Sequence, residues 1–355
     1  MAERSAAGRN KPAVRRRPAP APAPAPTPAP AKKGRLATIG DMVERAARRP
    51  RQEWTNEVFE PDPDVDYTQV LAGPGQRAAT TVAGLTAVVL GFFIIYPGIA
   101  GLICYAGWLA RGRPGIWAAY YPAAVTFQYP EGMVAAHLGL ASLIVMSMLM
   151  VRFVHQRRPV WLSSVQPGLR WRYLLIVAVV SAIVLNLAYW PFAGKADFHW
   201  NPQPDVWIWL VIIVLTGPLQ AAGEEYLFRG YLMQVLGSFL HRPWVVVLIS
   251  GAVFTIAHGL NQSLLLMFVR FVFGCVMGTL VVTTGGLEAA IAAHAVNNLF
   301  TFGYASLSGG VAASIAMTDL SWTMAASNIL AYVVIGLIAW RIGVAMKVAT
   351  ETPLG

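Results

Sequence analysis

The chain reads as an all-α polytopic membrane protein of about eight transmembrane helices with a four-helix catalytic core. Composition is the first ground: of 355 residues, 56% are hydrophobic and 12% charged, against about a quarter charged in soluble domains. The second is a positive mean hydropathy of +0.53. The third is that apolar stretches near the ~20-residue length needed to cross a bilayer recur along the chain.

Residues 1–78 are expected to form a disordered, basic, Pro- and Ala-rich cytoplasmic tail. Arg15-Arg16-Arg17 precedes an alternating Pro-Ala run from Pro18 to Pro30, then Lys32-Lys33. Such a run favours extended polyproline II and cannot bury a core. It reads either as a spacer whose basic ends touch anionic lipid or as a solvated tail. Ile39 to Arg49 forms a short amphipathic pattern with Asp41 as a candidate N-cap, suited to the membrane surface or to a transient helix. Residues 53–66 then turn acidic. No apolar stretch of signal-peptide type occurs in this region, so the first span is expected to direct targeting.

Net charge is +10, and 14 of the 27 Lys and Arg precede residue 78 together with 9 of the 17 acidic residues. Cys104 and Cys275 both lie in apolar runs and read as packing residues, without a disulfide framework. Nothing in the pattern asks for a nucleic-acid partner; membrane lipids are the expected surroundings.

Spans are expected near 80–109, 132–154 and 172–190, forming an N-terminal region over 79–204. Four more, near 206–239, 244–259, 264–283 and 286–304, make a core over 205–304. A last one near 325–346 follows a loop within 305–355. Pro97-Gly98 predicts a kink or re-entrant piece in the first span, and Gly217-Pro218 a break in the long fourth. Tyr120-Tyr121, Trp171 with Tyr173, Tyr189-Trp190 and Trp207 with Trp209 fall at span ends, where interfacial aromatics belong. The loop over 152–172 carries five Arg, whereas that over 191–205 carries one Lys and two Asp. The positive-inside rule therefore puts both termini in the cytoplasm, with Arg111 and Arg113 on the opposite side.

The fourth span holds the stretch Gly223-Glu224-Glu225-Tyr226-Leu227-Phe228-Arg229-Gly230. Ionisable groups at the centre of a span cost roughly 2.5–3.5 kcal/mol each and mark functional sites. On a helix Glu225 and Arg229 are spaced to form an ion pair with the acid first, while Glu224 points ~100° away and is left to face a cavity. The bland reading is a buried structural pair with a spare carboxylate. Phe254-x-x-x-His258 closes the fifth segment, and His294-x-x-x-Asn298 lies on one face of the seventh. A hairpin about His241-Arg242-Pro243 brings Glu224 and His258 to one depth. His294 is only nine residues past Gly285-Gly286, so that turn has to lie deeper for the two to meet.

A carboxylate and an imidazole together can deprotonate water. A second His and an Asn amide can donate to an oxyanion at the attacked carbonyl. The set describes amide hydrolysis without a covalent intermediate, with Glu224, His258, His294 and Asn298 as catalytic candidates and Glu225, Arg229 and Phe254 in support. Glu224, His258 and His294 also form an acceptable zinc site with an open position. Arg270, in the sixth segment, reads as a substrate-carboxylate contact or as a partner of Glu225 or a backbone carbonyl. Gly274-x-x-x-Gly278 permits close helix approach. No serine-hydrolase, nucleotide-binding or zincin motif is present.

Glu224-Glu225-x-x-x-Arg229, Phe254-x-x-x-His258 and Thr284-Gly285-Gly286-Leu287 leading to His294-x-x-x-Asn298 resemble the motifs of the CAAX prenyl endopeptidase and bacteriocin-processing (CPBP) family of intramembrane peptidases. The resemblance covers about 205–303. It implies an endopeptidase in which Glu224 and His258 activate water while His294 and Asn298 form the oxyanion site, without a cofactor. It also implies a membrane-associated peptide or lipidated protein substrate and a multi-pass place in a bacterial plasma membrane. Family members that cleave prenylated proteins remove the three residues after the lipidated Cys, and the tail here carries no sign of such substrates. A non-catalytic bacteriocin-immunity or partner-binding role is the alternative, and a transporter coupled through the buried charges a third.

Overall fold

Each apolar segment expected from the sequence is helical. The computed structural model describes residues 58–73, 76–192 and 198–354. The Pro-Ala run and the Ile39 to Arg49 segment lie outside them. In chain order the helices are α1 (Ala78–Ala110), the short α2 (Trp117–Val125), α3 (Pro130–Val154), α4 (Trp171–Phe192) and α5 (Val206–Leu240). Then come α6 (Pro243–Ala257), α7 (Leu264–Thr284), α8 (Glu288–Leu307), the single-turn α9 (Val311–Ile315) and α10 (Trp322–Ala345).

Among the described residues six helices, α1, α3, α4, α5, α7 and α10, are long and apolar enough to cross a membrane. The other two expected spans became α6 and α8. With 15 residues α6 is about 22 Å long, short of a ~30 Å hydrocarbon layer. α8 falls below the mark because Glu288, His294, Asn297 and Asn298 interrupt its apolar run; Glu288 to Val296 is nonetheless buried without a break, with Ala289, Ala290, Ala292, Ala293 and Ala295 along it. Small side chains let α8 sit inside the bundle, where protein rather than lipid surrounds it.

Neither proline interrupts its helix. α1 runs unbroken for 33 residues through Pro97, and α5 runs through Pro218. At ~50 Å, α1 exceeds the hydrocarbon thickness, and tilt absorbs such excess without a re-entrant turn. Its outer face, with Phe93, Ile94 and Leu102, is exposed to the surroundings. The irregularity in α5 lies further on, at a π-helical segment, Tyr226–Leu232.

The helices pack in the order α1, α3, α5, α8, α4, α10, α7, α6, and the π segment of α5 closes back on α6. α6 and α7 approach closely at their glycines, for a Cβ on Gly274 would lie 2.9 Å from Gly251 Cα. The turn at His241 is present, with His241 itself in the left-handed region (φ 46°). Trp171, Trp190 and Trp207 are exposed at helix ends as an interfacial belt requires, whereas Tyr120, Tyr173 and Trp209 turn inward.

Disorder was expected up to residue 78, yet from Val58 the chain is built into one end of the bundle. Tyr67 is fully buried and donates to the Leu162 carbonyl. Trp161 donates to Glu60 at 2.6 Å, and buried Arg157 donates to the Ala72 carbonyl at 2.6 Å. Burial pushes the Arg157 guanidinium below its ordinary value, opposed by Asp62 and Glu60. Aromatic and aliphatic anchors inside an acidic stretch explain why average composition misread it. At the same end Arg170 clamps Glu288 through Nε (2.9 Å) and Nη2 (2.6 Å), and its Nη1 donates to the Ala349 carbonyl at 3.0 Å.

Candidate active site

The charged stretch of α5 sits at the junction between regular α-helix and the π segment. Such wide turns recur at functional sites because they re-aim the side chains around them. Glu224, Glu225 and Arg229 are all buried. Arg229 Nη1 donates to Glu225 Oε1 at 3.1 Å, and its guanidinium stacks over the Phe254 ring at 4.1 Å. Phe254 thereby has a place in the cluster: it covers the buried cation.

His294, from α8, reaches the same carboxylates. Its Nδ1 lies 2.7 Å from Glu225 Oε1 and its Nε2 lies 3.5 Å from Glu224 Oε2. The contact requires the Gly285-Gly286 turn to be sunk in the protein, and it is. Gly286 bridges to Ser164, and the Leu287 N–H donates to the Ser163 carbonyl at 2.9 Å. Leu287 and Glu288 are fully buried. Gly285 ends α7 in the left-handed region at φ 65°, where a Cβ would come within 2.8 Å of Thr350 Cα. The depth mismatch in the spacing is resolved by this buried turn.

Glu224 meets Gln220 and His294 rather than His258. Gln220 Nε2 donates to Glu224 Oε1 at 2.9 Å, while Gln220 Oε1 accepts from Asn298 Nδ2 at 2.8 Å. Oε2 of Glu224 has no hydrogen-bond partner among the described residues. His258 caps α6, its Nδ1 2.8 Å from the Phe254 carbonyl. A carbonyl only accepts, so Nδ1 carries the proton and a neutral ring leaves Nε2 as a lone pair. Glu224, His258, His294 and Asn298 all line one cavity of about 990 Å³. Arg270 lines it too, bonded to Gln262 and, at 3.4 Å, to the His258 carbonyl.

These geometries accompany a match in sequence. Residues 202–300 match the Rce1-like family model, type II CAAX prenyl endopeptidases. At family level this segment is similar to CAAX-type intramembrane proteases. The uncharacterized protein YyaK of Bacillus subtilis (strain 168) is 26% identical over 166 residues, covering 43% of this chain and 54% of that protein. The chain thus spans about half the length of the curated relative that it matches. The Rce1-like segment starts just before α5 and ends within α8. It therefore contains the glutamate doublet, both motif histidines and Asn298.

Gln220 is the site residue that sequence reasoning missed. It stands one helical turn before Glu224, a polar side chain in an otherwise apolar run, and that placement was the available signal. Among the described residues no three His, Cys, Asp or Glu side chains are grouped to hold a metal ion. One nitrogen of each histidine is bonded, His258 Nδ1 to a backbone carbonyl and His294 Nδ1 to Glu225, which leaves Nε2 of each ring toward the site.

Proposed function

We propose that the protein is an intramembrane endopeptidase in which Glu224 and His258 activate water and His294 and Asn298 stabilise the oxyanion. The observation that carries this is the state of Glu224, a residue that lines the shared cavity, with one carboxylate oxygen fixed by Gln220 and the other, 3.5 Å from His294 Nε2, without a hydrogen bond. A water lying between Glu224 Oε2 and His258 Nε2 can donate one proton to each, so both lone pairs raise its nucleophilicity. As the O–H bond breaks, Glu224 takes the proton and hydroxide adds to the peptide carbonyl. Glu224 then returns that proton to the leaving amine.

Asn298 keeps one amide N–H beyond its bond to Gln220, and this hydrogen is the donor for the developing oxyanion. His294, positioned by Glu225, supplies the second donor when Nε2 is protonated. Glu225 and Arg229 hold the frame, and no step requires a metal. The substrate is a peptide or protein at the membrane, lipidated or not.

The test is Glu224→Gln in purified protein reconstituted with membrane-anchored peptide reporters. Cleavage should disappear while extraction yield and thermal stability stay near wild type. Full cleavage by the variant would refute the role given to Glu224.

A further inference from the structure

The two ends of the bundle differ in charge, and the cavity belongs to one half only. One end gathers residues 58–77, the loop between α3 and α4, the His241 turn, the Gly285 turn and the end of α10. The contacts that tie it together are Phe59 to Gln156, Gly286 to Ser164, Arg170 to Ala349, and Gln76 to Ser238. This end carries Arg77, Arg152, Arg157, Arg158, Arg170, Arg172, Arg242, Arg341 and Lys347. At the other end the Asn201 and Gln203 N–H groups donate to the Leu307 and Ser306 carbonyls, and Ser263 donates to Thr318. Among the described residues its connecting segments carry only Arg111 and Arg113.

The cavity lies in this second, Lys- and Arg-poor half. Its walls use the late part of α8, the early parts of α7 and α10, and the loop holding Gly309, Met317 and Asp319. No residue of the Arg-rich connecting loops lines it. Lys and Arg in short loops mark the cytoplasmic side of a span. We infer that the site takes its substrate from the extracytoplasmic side, so that the substrate is a polypeptide segment already exported across the membrane rather than a cytosolic lipidated C-terminus. Export must then precede cleavage. This inference rests on the peptidase reading for what is cut, but the sidedness stands on geometry and charge.

Cysteine labelling tests it in the full chain. In a background with Cys104→Ala and Cys275→Ala, single cysteines are placed by Met317→Cys at the cavity loop, Asn328→Cys in the cavity wall and Gln166→Cys between α3 and α4. A membrane-impermeant maleimide applied to intact bacterial cells should label positions 317 and 328, and reach 166 only after permeabilisation. Labelling of 166 in intact cells, or of 317 and 328 only after permeabilisation, would overturn the inference. Labelling reads orientation whether or not the protein cleaves anything. Failure of Glu224→Gln to abolish cleavage would therefore count against the peptidase mechanism alone.

Discussion

His294 Nδ1 lies 2.7 Å from Glu225 Oε1, the same oxygen that accepts from Arg229 Nη1 at 3.1 Å. One buried carboxylate therefore serves both a cation and an imidazole. Removing its charge leaves Arg229 fully buried beside a neutral group, and breaking a buried pair by deleting one partner costs about 3–5 kcal/mol. Glu225→Gln is expected to lower the unfolding midpoint in detergent sharply. Adding Arg229→Met should recover a large part of that loss without restoring cleavage, because His294 stays unpositioned. An unchanged midpoint in Glu225→Gln would remove the pair from the structural frame.

Gln220 joins Glu224 to Asn298, holding one with its amide nitrogen and the other with its oxygen. Asn298→Ala deletes a candidate oxyanion donor, so kcat should fall about 10²- to 10³-fold with little change in KM. Gln220→Leu leaves both partners in place but unheld, and should also lower kcat at near-normal stability. The decisive reading is Gln220→Glu, which cannot donate to Glu224 when ionised and sets a second carboxylate against it. If Gln220→Glu cleaves as fast as wild type, Gln220 does not position the base.

Much of this arrangement was legible because its signals are local. Charges inside apolar runs and four-residue spacings put Glu225 with Arg229 and His294 with Asn298 without any tertiary knowledge. The His241 turn was equally plain from His-Arg-Pro. Long-range partnerships were not legible: nothing in the spacing shows that Glu225 would take His294 as well as Arg229, or that Arg170 would clamp Glu288 across 118 residues. Hydropathy also misled in two places. α8 is among the most buried helices yet scores weakly because it carries Glu288, His294, Asn297 and Asn298, and Tyr67, Val70 and Leu71 anchor a stretch whose average looks solvated.

Gly274 tests the packing of the core. A Cβ there would meet Gly251 Cα at 2.9 Å, a backbone contact that cannot rotate away. Gly274→Ala must push α7 from α6, and overpacking of this kind typically costs about 1–3 kcal/mol. Because α6 carries Phe254 and His258, cleavage should fall together with thermal stability. By contrast Gly98, with no neighbour near its added Cβ, should accept alanine with both properties unchanged. Equal tolerance at the two positions would argue against close α6–α7 contact.

Metal dependence separates the proposed chemistry from a zinc peptidase built on the same residues. A zinc ion at Glu224, His258 and His294 would need free ring nitrogens aimed at one point. Nδ1 of His294 is held by Glu225 and Nδ1 of His258 by a backbone carbonyl, so only Nε2 of each ring is left for a metal, and no three His, Cys, Asp or Glu side chains among the described residues are grouped to hold one. Cleavage by purified protein should therefore survive dialysis against EDTA and 1,10-phenanthroline, and elemental analysis should find no stoichiometric zinc. Loss of activity on chelation, restored by zinc, would assign Nε2 of both imidazoles to the metal and replace the water-activating role of His258 with a ligand role.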